Sequence, residues 1–266
     1  MKELTIVKIG GNIIDSKENL NSFLQKFNTI KGAKILVHGG GKIATEISAR
    51  LGLEAKMVNG RRITDLQTLE IVVMVYSGIN KSIVAQLNVG GTKSIGVCGA
   101  DMSLIPAKKR AKGDIDYGFV GDVLADEMKT DNWQLLLDAG ICPVVAPITA
   151  DASGQLLNTN ADTIASSVAQ ALSHIYNVKL IYCFEKNGVL RNPTDENSVI
   201  SKIDMQEYES LKEKKIISDG MIPKLDNAFD AMKQGVSKVI IGHALYIEKL
   251  TDTAHETGTL LILDEK

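Results

Sequence analysis

The chain has 266 residues, 44% of them apolar and 23% charged, with a formal net charge of -2. That length suits one large domain or two lobes sharing a core, and the composition is that of a soluble globular protein. The near-neutral balance offers no basic face to nucleic acid, and the first apolar run is too short for a signal-peptide core or a membrane span.

The first predicted element is a strand, "LTIVKI", which carries Lys8 and stops at Gly10 and Gly11. A lysine in a buried strand is costly unless anions compensate it. A second strand, "KILVHG", also runs into glycines, Gly39 to Gly41, ahead of an amphipathic stretch at 42–51. Glycines between a strand and a helix let an anion approach backbone N–H groups at the helix N-terminus; a tight turn is the plainer alternative. "NGRRITD", 59–65, sets two arginines beside a turn, where a planar guanidinium suits a carboxylate. A helix follows at 65–89 with Asp65 as its cap.

Next come the strand "KSIGVC", a β-hairpin excursion at 104–123 with turn residues between short alternating runs, and the strand "ICPVVAP". "LLNTNADTIAS" opens a helix at 161–173, with Asn160 as cap and Asp162 in its first turn. A weak boundary lies at 173–177, before the strand "VKLIYCF". "IISDGMIPK" leads into a helix with Lys224 in or near its first turn, against the helix dipole, and the strand "KVIIG" follows. Strands alternating with helices predict an α/β fold with a mainly parallel sheet, and in such sheets ligands bind at the carboxyl ends of strands. Cys98, Cys142 and Cys183 form no CxxC, so reduced thiols in a cytoplasmic protein are expected.

Several catalytic patterns are absent or incomplete. Gly39 to Ala44 fits GxGxxA, but "NGRRIT" stands where a dinucleotide fold needs a strand ending in an acid. Neither GxxxxGK[ST] nor GxSxG occurs.

"KIGGN", "HGGGK", "NGRRIT", "GADMSLI", "LNTNAD" and "SDGMIPK" stand in the order and spacing of the amino-acid kinase superfamily. The chain resembles that family over essentially its whole length. The resemblance implies a three-layer αβα sandwich with a central mainly parallel sheet. Residues 1–175 would form an acyl-amino-acid-binding and dimerisation lobe, and 176–266 a nucleotide-binding lobe. It also implies transfer of the ATP γ-phosphoryl to the side-chain carboxylate of an N-acylated glutamate, in arginine biosynthesis. N-acetyl-L-glutamate is the expected acceptor. The alternatives are N-succinyl-L-glutamate, with Arg61 as a spare cation, another kinase of this fold, or a non-catalytic nucleotide sensor.

By the same resemblance, Lys8 stabilises the transition state from the acceptor side, Lys224 from the nucleotide side, and Asp162 holds both lysines. Gly10 and Gly11 would donate to the γ-phosphoryl. Gly40 and Gly41 match the acyl-amino-acid loop, Arg62 the arginine for the α-carboxylate, and Asn158 the residue at the α-substituent. Glu185, Lys186, Gly188, Ser218, Asp219 and Gly220 match phosphate- or nucleotide-binding positions. Magnesium would arrive with ATP and take its ligands from phosphate and water, not from protein side chains. In one departure, "YCFEKNGVL" has Phe184 and Glu185 where many members carry Ser/Thr-Asp. Arginine-inhibited members carry an extra helix before the first strand; its expected absence predicts a homodimer without arginine feedback, with 65–89 as the dimer helix.

Overall fold

Six apolar, largely β-branched runs form the core strands of one sheet, because both of its faces are covered and neither tolerates an alternating polar row. The computed structural model describes residues 1–58, 60–217, 221–252 and 257–263. The first half holds β1 (Lys2–Ile9), α1 (Gly11–Asp15), α2 (Lys17–Thr29), β2 (Ala33–His38) and α3 (Gly41–Arg50). It continues through β3 (Met57–Val58), β4 (Arg61–Arg62), α4 (Leu66–Val89), β5 (Ser94–Val97), β6 (Ala107–Lys109) and β7 (Gly121–Val123). Then follow α5 (Thr130–Asp138), β8 (Cys142–Val145), β9 (Ile148–Ala150), β10 (Leu156–Asn158) and α6 (Ala161–Leu172). The remainder is β11 (Tyr176–Phe184), β12 (Lys202–Ile203), α7 (Met205–Glu213), α8 (Ile222–Lys233), β13 (Lys238–His243), α9 (Ile247–Thr251) and β14 (Thr259–Leu261).

The main sheet has the order β12-β14-β13-β11-β1-β2-β8-β5. β5, β8, β2, β1, β11 and β13 are mutually parallel, and β14 runs antiparallel to β13. The expected αβα sandwich with a mainly parallel sheet is therefore present. The connection at 173–177 joins α6 to β11, and β11 pairs with β1 along its whole length. One continuous sheet thus crosses the boundary expected there.

Strand alternation sorts the side chains of β1 between two cores. Leu4 and Ile6 pack on one face with α5, α6, α7 and α8; Val7 and Ile9 pack on the other with α2, α4 and α9. Lys8 continues the Leu4–Ile6 row and so points to the α6 and α8 side. On β11, Leu180, Tyr182 and Phe184 form the matching row on that same side.

Asp65 caps α4 by accepting from Thr68 N, and Asn160 caps α6 by accepting from Asp162 N and Thr163 N, as expected from the sequence. The 104–123 excursion forms the antiparallel pair β6–β7, and its tip is tied to the start of α4 by Thr64 N donating to Tyr117 O and Phe119 N to Thr64 O. α2 went unread in the sequence, although Leu20, Phe23, Leu24 and Phe27 fall at helical spacing after the Ser16 cap.

Candidate active site

The two glycine loops leave adjacent strands at the carboxyl edge of the sheet. Gly39 N donates to Ile9 O across 3.0 Å, which holds the loops side by side. Gly40 adopts φ +147°, and a Cβ there would lie 2.6 Å from Ile79 Cδ1, so only glycine fits. Gly11 and Gly41 are the first residues of α1 and α3, so N-terminal N–H groups of both helices face this edge.

Lys8 and Asp162, 154 positions apart in the numbering, meet here. Lys8 Nζ lies 2.7 Å from Asp162 Oδ1, with side-chain exposures of 10% and 20%. Asp162 sits in the first turn of α6, while the helix cap itself is Asn160. The Asn160 cap expected from the sequence is present, and it leaves the Asp162 carboxylate to pair with Lys8. Burial pushes the Asp162 carboxyl up, but the Lys8 and Lys224 ammonium groups outweigh it and hold the group below the usual carboxylate range. Lys224 stands in the first turn of α8. Burial lowers its pKa, the Asp162 charge opposes that shift, and the Lys8 charge adds to it.

Two hollows meet at Lys8. A cleft of about 710 Å³ is lined by Gly40, Gly41, Arg62, Asn158 and Asp162, among others. A smaller hollow of about 240 Å³ is lined by Phe184, Glu185 and Lys224. Lys8, Gly10 and Gly11 line both.

Within the larger cleft, the short β3–β4 hairpin delivers Arg62. Its Nη2 donates to Gly41 O at 2.8 Å and to Thr45 Oγ1 at 2.6 Å. Its Nη1 is buried and has no protein partner among the described residues. A buried guanidinium edge left open in a cleft suits an anionic ligand such as a carboxylate. Asn158 Nδ2 donates to Thr64 Oγ1 at 3.0 Å. Thr64 Oγ1 in turn donates to Arg62 O, so the two expected substrate contacts form one network.

The sequence reading did not single out Lys42, Tyr76 or Arg110, yet all three line the larger cleft. Arg110 is held by Asp122 on the opposing arm of the hairpin, with Nε 3.0 Å from Oδ1. Of the expected nucleotide residues, Glu185 lines the smaller hollow. Lys186 pairs with Glu196 at 3.0 Å. Gly188 is packed so closely that a Cβ would lie 2.7 Å from Thr259 Oγ1. Neither lines the two hollows. Ser218, Asp219 and Gly220 lie outside the described residues.

Behind the second loop, His38 is fully buried. Nδ1 donates to Gly39 O at 2.7 Å, and Nε2 accepts from Asn80 Nδ2 at 3.2 Å. Burial depresses its pKa to about 4, below the ordinary 6.5, against a smaller upward effect of the Gly39 hydrogen bond. The unfolded chain therefore takes up this proton first. Stability from the neutral ring is full above pH 6.5 and is lost as pH falls toward 4, by roughly 3 kcal/mol in all. Denaturant titrations at several pH values should show a shallower loss over that window in His38→Gln; equal slopes would contradict this assignment.

Residues 3–243 match the model of the amino acid kinase family. The chain is 53% identical to the acetylglutamate kinase of Cytophaga hutchinsonii over 264 residues, covering 98% of this chain and 99% of that one. It is 51% identical to the acetylglutamate kinase of Phocaeicola vulgatus, over 95% and 98% of the two chains. Among solved structures, it resembles the N-acetylglutamate synthase of Neisseria gonorrhoeae complexed with coenzyme A and N-acetyl-glutamate, with a TM-score of 0.84 at 20% identity, over 99% of this chain and 60% of that one. Carbamate kinase from Giardia lamblia bound to AMP-PNP gives a TM-score of 0.70 at 15% identity, over 99% of both chains. The two structural likenesses speak to the fold.

Proposed function

The chain belongs to the amino acid kinase family, and on that premise we infer that it transfers the γ-phosphoryl group of ATP to the side-chain carboxylate of N-acetyl-L-glutamate, as a step of arginine biosynthesis. The observation that carries this reading is the Lys8–Asp162 pair on the wall between the two hollows. The larger cleft takes the acyl-amino acid and the smaller hollow takes the phosphates. An acceptor carboxylate oxygen attacks the γ-phosphorus, the bond to the β-phosphate oxygen breaks, and ADP leaves. The protein forms no covalent bond in this scheme; it positions the reactants and neutralises charge. Lys8 meets the transferring group from the acceptor side and Lys224 from the nucleotide side. Asp162 steadies both ammonium groups by its charge, Lys8 through a direct ion pair and Lys224 from beyond ion-pair distance, and Gly10 and Gly11 supply backbone donors.

Arg62 takes the α-carboxylate on its open Nη1 edge, with Gly40, Gly41 and Asn158 around the rest of the amino acid. Arg62→Lys should raise KM for N-acetyl-L-glutamate roughly 10- to 100-fold, the scale of a lost charge-assisted hydrogen bond. The KM for ATP should stay near wild type; steady-state kinetics with each substrate varied checks the split. Magnesium enters with the triphosphate. Among the described residues no group of three or more His, Cys, Asp or Glu side chains gathers to hold a metal ion. Glu185 is the carboxylate lining the phosphate hollow, which suits an ion held mainly by phosphate and water. When bound, it would offset the negative charge of the transferring phosphate groups.

Residues 1–175 supply Arg62 and Asn158 and form the acceptor lobe, and 176–266 supply Glu185 and Lys224 and form the nucleotide lobe. A homodimer across α4 is the assembly we infer. α4 packs one face against α2, α3 and the sheet, yet leaves Leu66 and Met74 54% and 59% exposed. The neighbouring strand β5 is a sheet edge with Ile95 41% exposed. Light scattering should give twice the chain mass; a monomer or a hexamer would overturn this. The three thiols are free, which supports a cytoplasmic location.

A second acceptor is favoured by one feature. Arg61 and Arg110 line the same cleft as Arg62, and N-succinyl-L-glutamate would bring a second carboxylate for one of them. ADP release measured over a panel of N-acyl-glutamates, glutamate and carbamate tests the whole reading. The highest kcat/KM should fall on N-acetyl-L-glutamate; preference for the succinyl compound would reassign the acyl group, and turnover only with glutamate or carbamate would reject the reading.

A further inference from the structure

We propose that Phe184 is a positioning residue for Lys224, its ring face holding the ammonium group beside the phosphate hollow. This rests on the assignment of that hollow to ATP phosphates. Phe184 ends β11, one step beyond Leu180 and Tyr182 in the row facing α6 and α8. Lys224 comes from the first turn of α8, and its Nζ lies 4.9 Å from the Phe184 ring centroid. That separation is within the range for attraction between a cation and the negative face of an aromatic ring.

The surroundings explain why a ring is useful at this point. A lysine in the first turn of a helix opposes the helix dipole. The acid that attracts it most strongly, Asp162, is already engaged by Lys8 at 2.7 Å. Glu185 also attracts the Lys224 ammonium and Lys8 repels it. Yet among the described residues Lys224 Nζ makes no hydrogen bond and no ion pair within 4 Å, and it stands over the ring face. A flexible four-carbon stem would otherwise carry its charge through many rotamers. The ring limits that freedom without supplying a hydrogen-bond acceptor that would compete with phosphate oxygens. A small hydroxyl side chain at this strand end, as the family resemblance leads one to expect, would offer such an acceptor and no ring face. Phe184 and Lys224 both line the small hollow, so the held ammonium already borders the space the phosphates would fill.

The test separates ring charge from ring volume. The full-length protein is made as wild type, Phe184→Tyr, Phe184→Leu and Phe184→3,4,5-trifluorophenylalanine, the last nearly isosteric but with an electron-poor face. Calorimetry measures the Kd for ATP with magnesium, and kinetics measures KM for N-acetyl-L-glutamate. The trifluoro and Leu variants should bind ATP roughly 3- to 30-fold more weakly. Tyr should stay near wild type, and KM for the acceptor should be unchanged in all. If the trifluoro variant binds ATP as tightly as wild type, the ring acts only by its volume and the proposal is overturned, whatever Leu does. The calorimetric arm does not depend on turnover. A chain that binds ATP with this ring dependence but phosphorylates no acyl-glutamate would reject the proposed reaction and leave the role of Phe184 standing.

Discussion

Lys8→Met is expected to lower kcat by roughly 10²-fold or more, the scale of losing one preorganised donor to the transition state. The change keeps an unbranched apolar stem of similar reach and removes the ammonium. Lys8 is the side chain that lines both hollows and is ion-paired to Asp162, so no neighbour can take over its position. The cost to folding should be smaller than the roughly 3–5 kcal/mol of breaking a wholly buried pair. Asp162 keeps the attraction of Lys224, and both partners retain some solvent contact. Steady-state kinetics together with a thermal melt checks the prediction; a folded variant with near-normal kcat would remove Lys8 from the chemistry.

Asp162→Asn should lower kcat by a similar factor, for a different reason. The amide keeps the shape and leaves the α6 cap in place, because the cap is the Asn160 side chain. It removes the negative charge that both lysines share. The two ammonium groups, which repel one another, then lose their shared counter-ion, and each is free to turn away. Losing a first-turn carboxylate from the helix dipole accounts for only about 0.3–1 kcal/mol of stability. Because Lys8 and Asp162 act through one contact, the double variant should be little worse than either single one. A variant that loses stability but keeps kcat would make Asp162 a helix residue and nothing more. The pH dependence has a defined sign. The Asp162 carboxyl is depressed in the folded chain, so its stabilising contribution is present above the unfolded value near 3.9 and is lost as pH falls through the lower folded value.

The six core strands, the α4 and α6 caps and the 104–123 hairpin were legible because each rests on local signals: apolar β-branched runs, an Asp or Asn before a helix, and turn residues between short strands. Lys8 was legible as an anomaly, a charge in a buried row. Its ion pair with Asp162 was not a local signal at all. It depends on β1 lying under the start of α6, and only the likeness to a family supplied the partner. Tyr76 and Arg110 escaped notice for the same reason. One reaches the cleft through the packing of α4 on the Gly40 loop, the other through the cross-strand pair with Asp122. Around "FEKNG", chain proximity to the smaller hollow carried no information about direction. Glu185 lines the hollow, whereas Lys186 turns to Glu196 and Gly188 packs under Thr259. Which way each residue leaves the strand end depends on the 185–201 loop, which is closed by its own Leu190–Val199 bridge and tied to β14 by Val189 N donating to Thr259 Oγ1.

Trapping the product tests the central claim most directly. The purified chain is incubated with ATP, magnesium, N-acetyl-L-glutamate and hydroxylamine, which converts an acyl phosphate to a stable hydroxamate. The account predicts hydroxamate formed in step with ADP, one for one, and abolished together with ADP release in Lys8→Met. ADP released without hydroxamate, or no ADP from the wild-type chain with any N-acyl-glutamate, would contradict it.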